Sequence, residues 1–248
     1  MRVIVLGCGS SVGSPVLGKD STEVREKNWR TRSSVYISVE NKDILIDSGP
    51  DFRQQAISNN ITKIDFVLYT HSHADHTHGI DDLRIYSYLR KERINCFGNS
   101  FTLRDIKQNF SYIFSPKNTA GRPRLNLNVI DDEFVEQGVN IIPLPILHND
   151  WDIFGYRIGK FAYITDCSSI PEETISKMQN LDLLVLDALR VTPHNAHLSV
   201  QQAIEVAKNL KSKRTILTHM SADLDYYELM EILPEGIEPG YDGLSVEL

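Results

Sequence analysis

Four of the chain's eight histidines fall between His71 and His78, in the stretch Thr70-His71-Ser72-His73-Ala74-Asp75-His76-Thr77-His78-Gly79. A β-type run, Asp65–Thr70, leads directly into it. Side chains of an extended chain alternate, so His71 and His73 fall on the same side. Asp75 and His76 follow where the chain turns, and face a second point a few ångströms away. Imidazole nitrogen and carboxylate oxygen are suitable ligands for Zn²⁺, Fe and Mn²⁺. One short segment can thus supply two ligands to each of two metals. A solvated polar loop accounts for a lone histidine, but not for four with an aspartate at a strand exit. Such a site needs a rigid sheet to hold its loops, so further ligands are expected where other strands end.

Comparable β-runs do end in ligand-type residues. His148 closes Ile141–Leu147, Asp166 closes Phe161–Thr165, and His219 closes Thr215–Thr218. Each alone is equally an ordinary buried histidine or turn aspartate. Other strands are expected at Val3–Leu6, Ser34–Val39, Asp43–Ile46, Leu125–Ile130, Asn140–Leu147, Tyr156–Ile158, Leu181–Leu186 and Arg214–Leu217. The clearest helix is Val200–Leu210. Ser199 and Gln202 fit a capping box, and Val200, Ala203, Ile204, Ala207 and Leu210 form one apolar face. Ile80–Arg90, Phe101–Phe110, Pro171–Met178 and Tyr226–Ile232 also read as helices, with Pro171 suited to a first helical position. No repeat, low-complexity tract or linker divides the chain, which reads as one domain over residues 1–248. Many strands with few helices suggest two stacked sheets with helices outside, although pattern alone does not separate that from an ordinary α+β domain.

Composition removes several classes of function. The chain has 248 residues, with 26 basic and 33 acidic, for a net charge of −7. That balance argues against a nucleic-acid polymer as partner, because no broad basic face is available. Cys8, Cys96 and Cys167 are an odd set with no C-x-x-C pair, so a disulfide framework is not expected and a reducing cytoplasm is the simplest setting. The longest apolar runs are too short to cross a bilayer, and Met1–Gly7 shows no cleavage-site pattern. No membrane partner is expected. Oligomeric state is open, with a homodimer among the options.

The H-x-H-x-D-H stretch, a later His, an Asp after a strand and a last His near the C-terminus resemble the metallo-β-lactamase-fold hydrolases over nearly the whole chain. Ile44-Leu45-Ile46-Asp47-Ser48-Gly49 is similar to that superfamily's first motif. Tyr241-Asp242-Gly243-Leu244 resembles the end of one branch, the PhnP-type cyclic phosphodiesterases, which are relatives of RNase Z. Gly9-Ser10-Ser11-Val12-Gly13, Arg30-Thr31-Arg32-Ser33-Ser34 and Gly155-Tyr156-Arg157-Ile158-Gly159 point to the same branch. The resemblance implies an α/β (α+β) fold, a four-layer αββα sandwich of two mixed sheets with helices outside. It also implies two divalent metal ions per chain, zinc or manganese, with iron a further option. His71, His73 and His148 would hold one metal, Asp75, His76 and His219 the other, and Asp166 would bridge them. Asp47 resembles the residue that braces the ligand loop from behind. In one respect the chain departs from the branch. The cysteine cluster that holds a separate structural zinc is replaced by Gly18-Lys19-Asp20-Ser21-Thr22-Glu23-Val24, and a histidine often found three residues past the last ligand is Ala222. No structural zinc site is expected.

Two bridged metals imply a reaction class. They lower the pKa of a shared water and stabilise negative charge in an in-line displacement, which suits a small phosphodiester, a cyclic one included. A proton for the leaving alkoxide must come from elsewhere. Thr192-Pro193-His194-Asn195-Ala196-His197-Leu198-Ser199 lies between a strand and the capped helix, and an imidazole with an ordinary pKa near ~6.5 suits general acid work. His197, beside Leu198-Ser199, resembles the catalytic histidine of PhnP-type and RNase Z-type enzymes. It is the expected general acid and, with Asp75, the expected catalytic pair. His194 is the alternative donor, and Asp187, ending the preceding strand, is a residue that can orient the histidine. His78 is expected to be exposed or behind the ligands, and Cys167 in the core. Arg30 and Arg32 suit a phosphate or a structural role, and Trp151 and Phe154 a pocket wall or the core. A small phosphodiester is therefore the expected partner. Competing readings are a tRNA 3′-processing endonuclease, a thioester or lactone hydrolase on the same fold, and a metal-dependent binding protein without turnover.

Overall fold

The computed structural model describes residues 1–117 and 121–248. Chain order runs β1 (Arg2–Gly7), β2 (Ser34–Val39), β3 (Lys42–Ile46), α1 (Phe52–Ser58), β4 (Phe66–Leu68), α2 (Ala74–Thr77), α3 (Leu83–Arg90), β5 (Ile94–Gly98), α4 (Ser100–Asn109), α5 (Ser111–Phe114) and β6 (Leu125–Val129). It continues through β7 (Phe134–Glu136), β8 (Val139–His148), β9 (Trp151–Ile158), β10 (Phe161–Ile164), α6 (Glu172–Lys177), β11 (Leu183–Asp187), α7 (Val200–Leu210), β12 (Arg214–Thr218), α8 (Tyr226–Ile232), β13 (Ile237–Pro239) and β14 (Leu244–Glu247).

The strands form two seven-stranded sheets, ordered β14-β1-β2-β3-β4-β5-β6 and β13-β12-β11-β10-β9-β8-β7. Both are mixed. In the first, β3 to β6 run parallel and the remaining pairs are antiparallel. In the second, β10 to β13 run parallel and β7 to β10 antiparallel. The last strand, β14, leaves the second half of the chain and pairs with β1.

The period of two in β1 explains how the layers stack. Val3 and Val5 point into the core shared by the two sheets, with Ile37, Ile46 and Leu68 from the first sheet and Ile146, Tyr156 and Ile164 from the second. Ile4 and Leu6 point the other way, onto Phe52 and Ala56 of α1, Leu83 of α3 and Leu103 and Ile106 of α4. Each such side chain contributes roughly 1.5–3 kcal/mol by leaving water. On the second sheet, Val200, Ala203 and Leu210 of α7 and Leu229 of α8 close the apolar surface. The expected αββα sandwich is therefore present. The three cysteines are free and buried, and no helix among the described residues is long and apolar enough to cross a membrane.

Several boundaries differ from expectation, each for a local reason. Ile80–Arg90 divides into a 3-10 turn at Ile80–Asp82 and the α-helix Leu83–Arg90. Pro171 is the residue before α6 rather than its first helical position, with an extended ψ of 150°. The run Asp65–Thr70 is a strand only over Phe66–Leu68, because the chain is already bending into the histidine segment. Leu181–Leu186 becomes Leu183–Asp187. The strand expected at Tyr156–Ile158 begins at Trp151, as the second arm of a long hairpin. α1 and β14 carry no strong sequence pattern and were not expected. The capping box at Ser199 is formed, with the Gln202 side chain accepting from Ser199 N at 2.9 Å.

Candidate metal centre

The loops at one end of both sheets converge. The ligand-type atoms of His71, His73, His148 and Asp166 lie within 4.8 Å of one another, as do those of Asp75, His76, Asp166 and His219. All seven residues singled out in the sequence are thus brought together in two groups that share Asp166. A third group, Asp187, His197 and His219, adjoins them.

The local backbone shows how this comes about. After β4 the chain passes through Tyr69 and Thr70, and His71 to His73 are extended before α2 begins. The short helix, a single turn, swings Asp75 and His76 to the second group. Gly49 and Gly79 make that turn fit. A Cβ on Gly49 would lie 2.1 Å from the Asp75 carbonyl oxygen, and one on Gly79 would lie 2.0 Å from the Gly49 carbonyl oxygen. Asp47 and His219 follow directly on strands and Asp166 one residue after its strand, and they have φ of 63°, 56° and 53° respectively. The left-handed region is costly for residues other than glycine, and such strain concentrates at functional sites. Here it turns three strand ends sharply toward one point.

Three of the imidazoles, His71, His76 and His148, are oriented by a partner behind them. Asp47 accepts from Thr70 N and Thr70 Oγ1, both at 2.8 Å, and lies 2.7 Å from His76 Nδ1. His71 Nδ1 lies 3.0 Å from Thr70 Oγ1, and His148 Nδ1 lies 2.9 Å from the Ala196 carbonyl oxygen. These contacts leave the opposite nitrogens to face the centre. Thr165 Oγ1 donates to Asp166 Oδ2 at 2.7 Å. Thr70 and Thr165 were missed in the sequence. The available signal was a threonine immediately before His71, Asp166 and His219 alike.

What the centre lacks is a neutral way to satisfy itself. His76 Nε2 sits 3.2 Å from Asp75 Oδ2 and 3.1 Å from Asp166 Oδ2, and His219 Nε2 sits 3.3 Å from Asp166 Oδ1. Yet His76 Nε2 and both ring nitrogens of His219 are buried without a hydrogen-bond partner among the described residues. With Nδ1 of His76 donating to Asp47, a neutral ring points its Nε2 lone pair at two carboxylates. Positive charge resolves that arrangement, as a proton on the ring or as a bound cation, and the His/Asp donor set fits divalent metals.

Electrostatics agree. Burial works to raise the Asp75 and Asp166 carboxyls, but the surrounding imidazoles hold both below the usual carboxylate range. Burial works to lower His76 and His219, and the carboxylates hold both above the ordinary histidine value. His71 and His73 go down, through burial and through neighbouring imidazoles.

His197 flanks the centre. It is nearly buried, its ring is stacked on His219 at 4.8 Å and 12° and lies edge-on to His148 at 4.9 Å. Its Nδ1 is 3.4 Å from Asp187 Oδ1, while Asp187 Oδ2 accepts from Leu198 N at 2.8 Å. His194 is exposed, and its Nδ1 is taken up by Ala196 N at 3.1 Å. His78 is exposed against Phe110, and Cys167 and Phe154 are in the core. Arg30 is buried and donates to the Ser221 and Leu224 carbonyls, both at 2.8 Å, which is a structural role. Arg32 pairs with Asp51 at 3.0 Å. Where the sequence lacks a cysteine cluster, Arg25 and Asn28 donate to Asp225.

The chain is similar to known proteins. A family model described as a beta-lactamase superfamily domain matches residues 42–220. The chain is 36% identical, over 99% of its length, to the octanoyltransferase of Porphyromonas gingivalis, and it spans about half (51%) of that relative. The crystal structure of a diphosphatase from the PhnP family is 38% identical, with coverage of 100% of this chain and 97% of the other and a TM-score of 0.93. The short form of human tRNase Z, at 21% identity, 100% and 99% coverage and a TM-score of 0.73, is alike in fold.

Proposed function

The chain belongs to the metallo-β-lactamase superfamily and, within it, to the PhnP family, and from that premise we propose that it is a binuclear-metal phosphodiesterase for small phosphodiesters, cyclic ones included. The observation that carries the reading is the sharing of Asp166 by two adjacent His/Asp groups whose buried nitrogens have no neutral partner.

In this reading His71, His73 and His148 would hold one divalent cation, zinc or manganese, and Asp75, His76 and His219 the second, with Asp166, common to both groups, available to either. When bound, such a pair supplies a water of lowered pKa and positive charge opposite the phosphoryl oxygens. The rest is done by the chain. Asp75, kept ionised by His76 and His219, would accept a hydrogen bond from the attacking water and orient it. His197 donates from Nε2 to the departing alkoxide, while Asp187 fixes the ring through Nδ1. Stacking on His219 and contact with His148 keep that imidazole from rotating away. The two carboxylates offset only half the charge of two divalent cations.

A second reading, thioester hydrolysis, takes its only hint from the match to an octanoyltransferase, of which this chain spans about half. A thiolate leaves readily, with a pKa near ~8.5, and has little need of a proton donor such as His197. For a tRNA substrate, the net charge of −7 is adverse and the likeness to tRNase Z is one of fold.

Metal analysis of the purified protein, paired with a screen of bis(p-nitrophenyl) phosphate, 2′,3′-cyclic nucleotides, pre-tRNA and an octanoyl thioester, tests the proposal. Two metals per chain with phosphodiester turnover are expected. Full activity with fewer than two metals overturns the binuclear reading, and turnover of the thioester alone replaces it with the second.

A further inference from the structure

A row of aromatic side chains leads outward from the first histidine group. Trp151 opens β9 and is the register partner of His148 across the Asn149–Asp150 turn. Its ring centroid is 4.9 Å from that of His73. Phe101, in the first turn of α4, lies 5.2 Å beyond at 66°, and the Arg104 guanidinium sits 4.7 Å over the Phe101 ring. Despite these neighbours Trp151 is 40% exposed and Phe101 37% exposed. Single exposed aromatics are common on protein surfaces, but a contiguous pair in contact with a residue of the site marks a ligand surface.

The row is also held rigidly. Asn99 caps α4, accepting from Thr102 N at 2.8 Å, and its amide donates to the Asp152 carbonyl oxygen at 2.9 Å. One side chain therefore ties the helix that carries Phe101 to the strand that carries Trp151. Ser72, between His71 and His73, donates to Asp105 Oδ2 at 3.1 Å, which ties α4 to the histidine segment as well. Little ordering remains to be done when a ligand arrives.

We propose that Trp151, flanked edge-on by Phe101 and with Arg104 at the outer end, forms a shelf on which the nucleobase of a nucleoside phosphodiester held at the metal centre stacks. This rests on the phosphodiesterase reading and narrows its substrate class. Any nucleobase presents a π face, so the shelf selects for a base without selecting which one. The guanidinium adds a cation to the same surface. A diester of a simple alcohol has nothing to place there.

Two measurements on the metal-loaded protein test it. The chain has two tryptophans, so Trp29→Phe leaves Trp151 as the sole indole reporter. Titration with adenosine 3′-monophosphate is expected to quench its fluorescence, and ribose 5-phosphate to leave it unchanged. Equal responses to the two, or none, overturn the shelf. In turnover, Trp151→Ala is expected to lower kcat/KM for adenosine 2′,3′-cyclic phosphate about 10-fold, a typical worth of one stacked base. The value for glycerol 1,2-cyclic phosphate stays as it was, and Trp151→Phe retains most of the adenosine activity. Equal loss on both substrates overturns the proposal. If the wild type hydrolyses neither, the phosphodiesterase reading falls and the quenching titration alone decides the shelf.

Discussion

The carboxylate of Asp47 lies 2.7 Å from Nδ1 of His76, both side chains sealed from solvent, although 29 residues separate them in sequence. The same carboxylate accepts two hydrogen bonds from Thr70, so one residue sets both the ring of His76 and the path of the segment that begins at His71. Asp47→Asn keeps the volume but loses an acceptor. It is expected to weaken metal binding at the second group by about 10–100-fold, the usual effect of losing an orienting partner. Competition with a chromophoric chelator measures it. Unchanged affinity and stoichiometry would show that Asp47 only closes a turn.

Loss of the proton donor has a signature of its own. His197→Ala is expected to lower kcat for methyl or cyclic nucleotide diesters by about 10²–10⁴-fold, the usual contribution of a general acid. Esters with a p-nitrophenolate leaving group need no such proton and stay within a few-fold. A uniform loss on all substrates would move His197 from proton transfer to substrate binding. His194→Ala, on an exposed side chain, is expected to leave both rates nearly intact.

Removal of metal acts on stability as well as on rate. Cations that bind the folded chain alone stabilise it by about 2.7 kcal/mol at a hundredfold excess over Kd. Exhaustive chelation is therefore expected to lower Tm by several degrees, and added Zn²⁺ or Mn²⁺ to restore it. In Asp166→Ala the same additions are expected to give little or no rise, because both groups lose their shared member. A full metal-dependent rise in that variant would refute the bridging role.

How much of this was readable beforehand depended on sequence distance. His71, His73, Asp75 and His76 stand within six positions, and their crowding at a strand exit is itself the signal. His148, Asp166 and His219 were visible only as strand endings, because the left-handed turns that aim the last two arise after the sheets are in place. The position of Trp151 against His73 depends on the β8–β9 register and on the Asn99 tie to Asp152, both set by tertiary contacts. The 3-10 turn at Ile80–Asp82 shares the apolar spacing of the helix that follows, so periodicity alone merged them.

Asp242, near the C-terminus, gives the fold a pH dependence of its own. Burial raises its carboxyl to about 6, against the opposing hydrogen bonds from Thr31 and Cys8. The folded value lies above the ordinary one of 3.8. The native state thus holds this proton more tightly than the unfolded chain does. The resulting stabilisation is complete below pH 4 and is lost as pH rises through about 6. Urea unfolding of the wild type relative to Asp242→Asn is expected to show the difference shrinking over that window and levelling above pH 7. A difference independent of pH would show that the native state does not shift this carboxyl from its unfolded value.

The sharing of the site between the two sheets makes it a reporter of assembly. His71, His73, Asp75 and His76 come from the first half of the chain, and His148, Asp166, His197 and His219 from the second. Neither half holds either of the two groups that share Asp166, since each of those takes ligands from both sides of the seam. Cations bound there would act as rivets between two halves that are also joined through apolar packing, the β14–β1 pairing and hydrogen bonds such as those of Arg30 to the Ser221 and Leu224 carbonyls. Two fragments cut between β6 and β7 would each lack the means to bind metal tightly, and high-affinity uptake on mixing would time their docking.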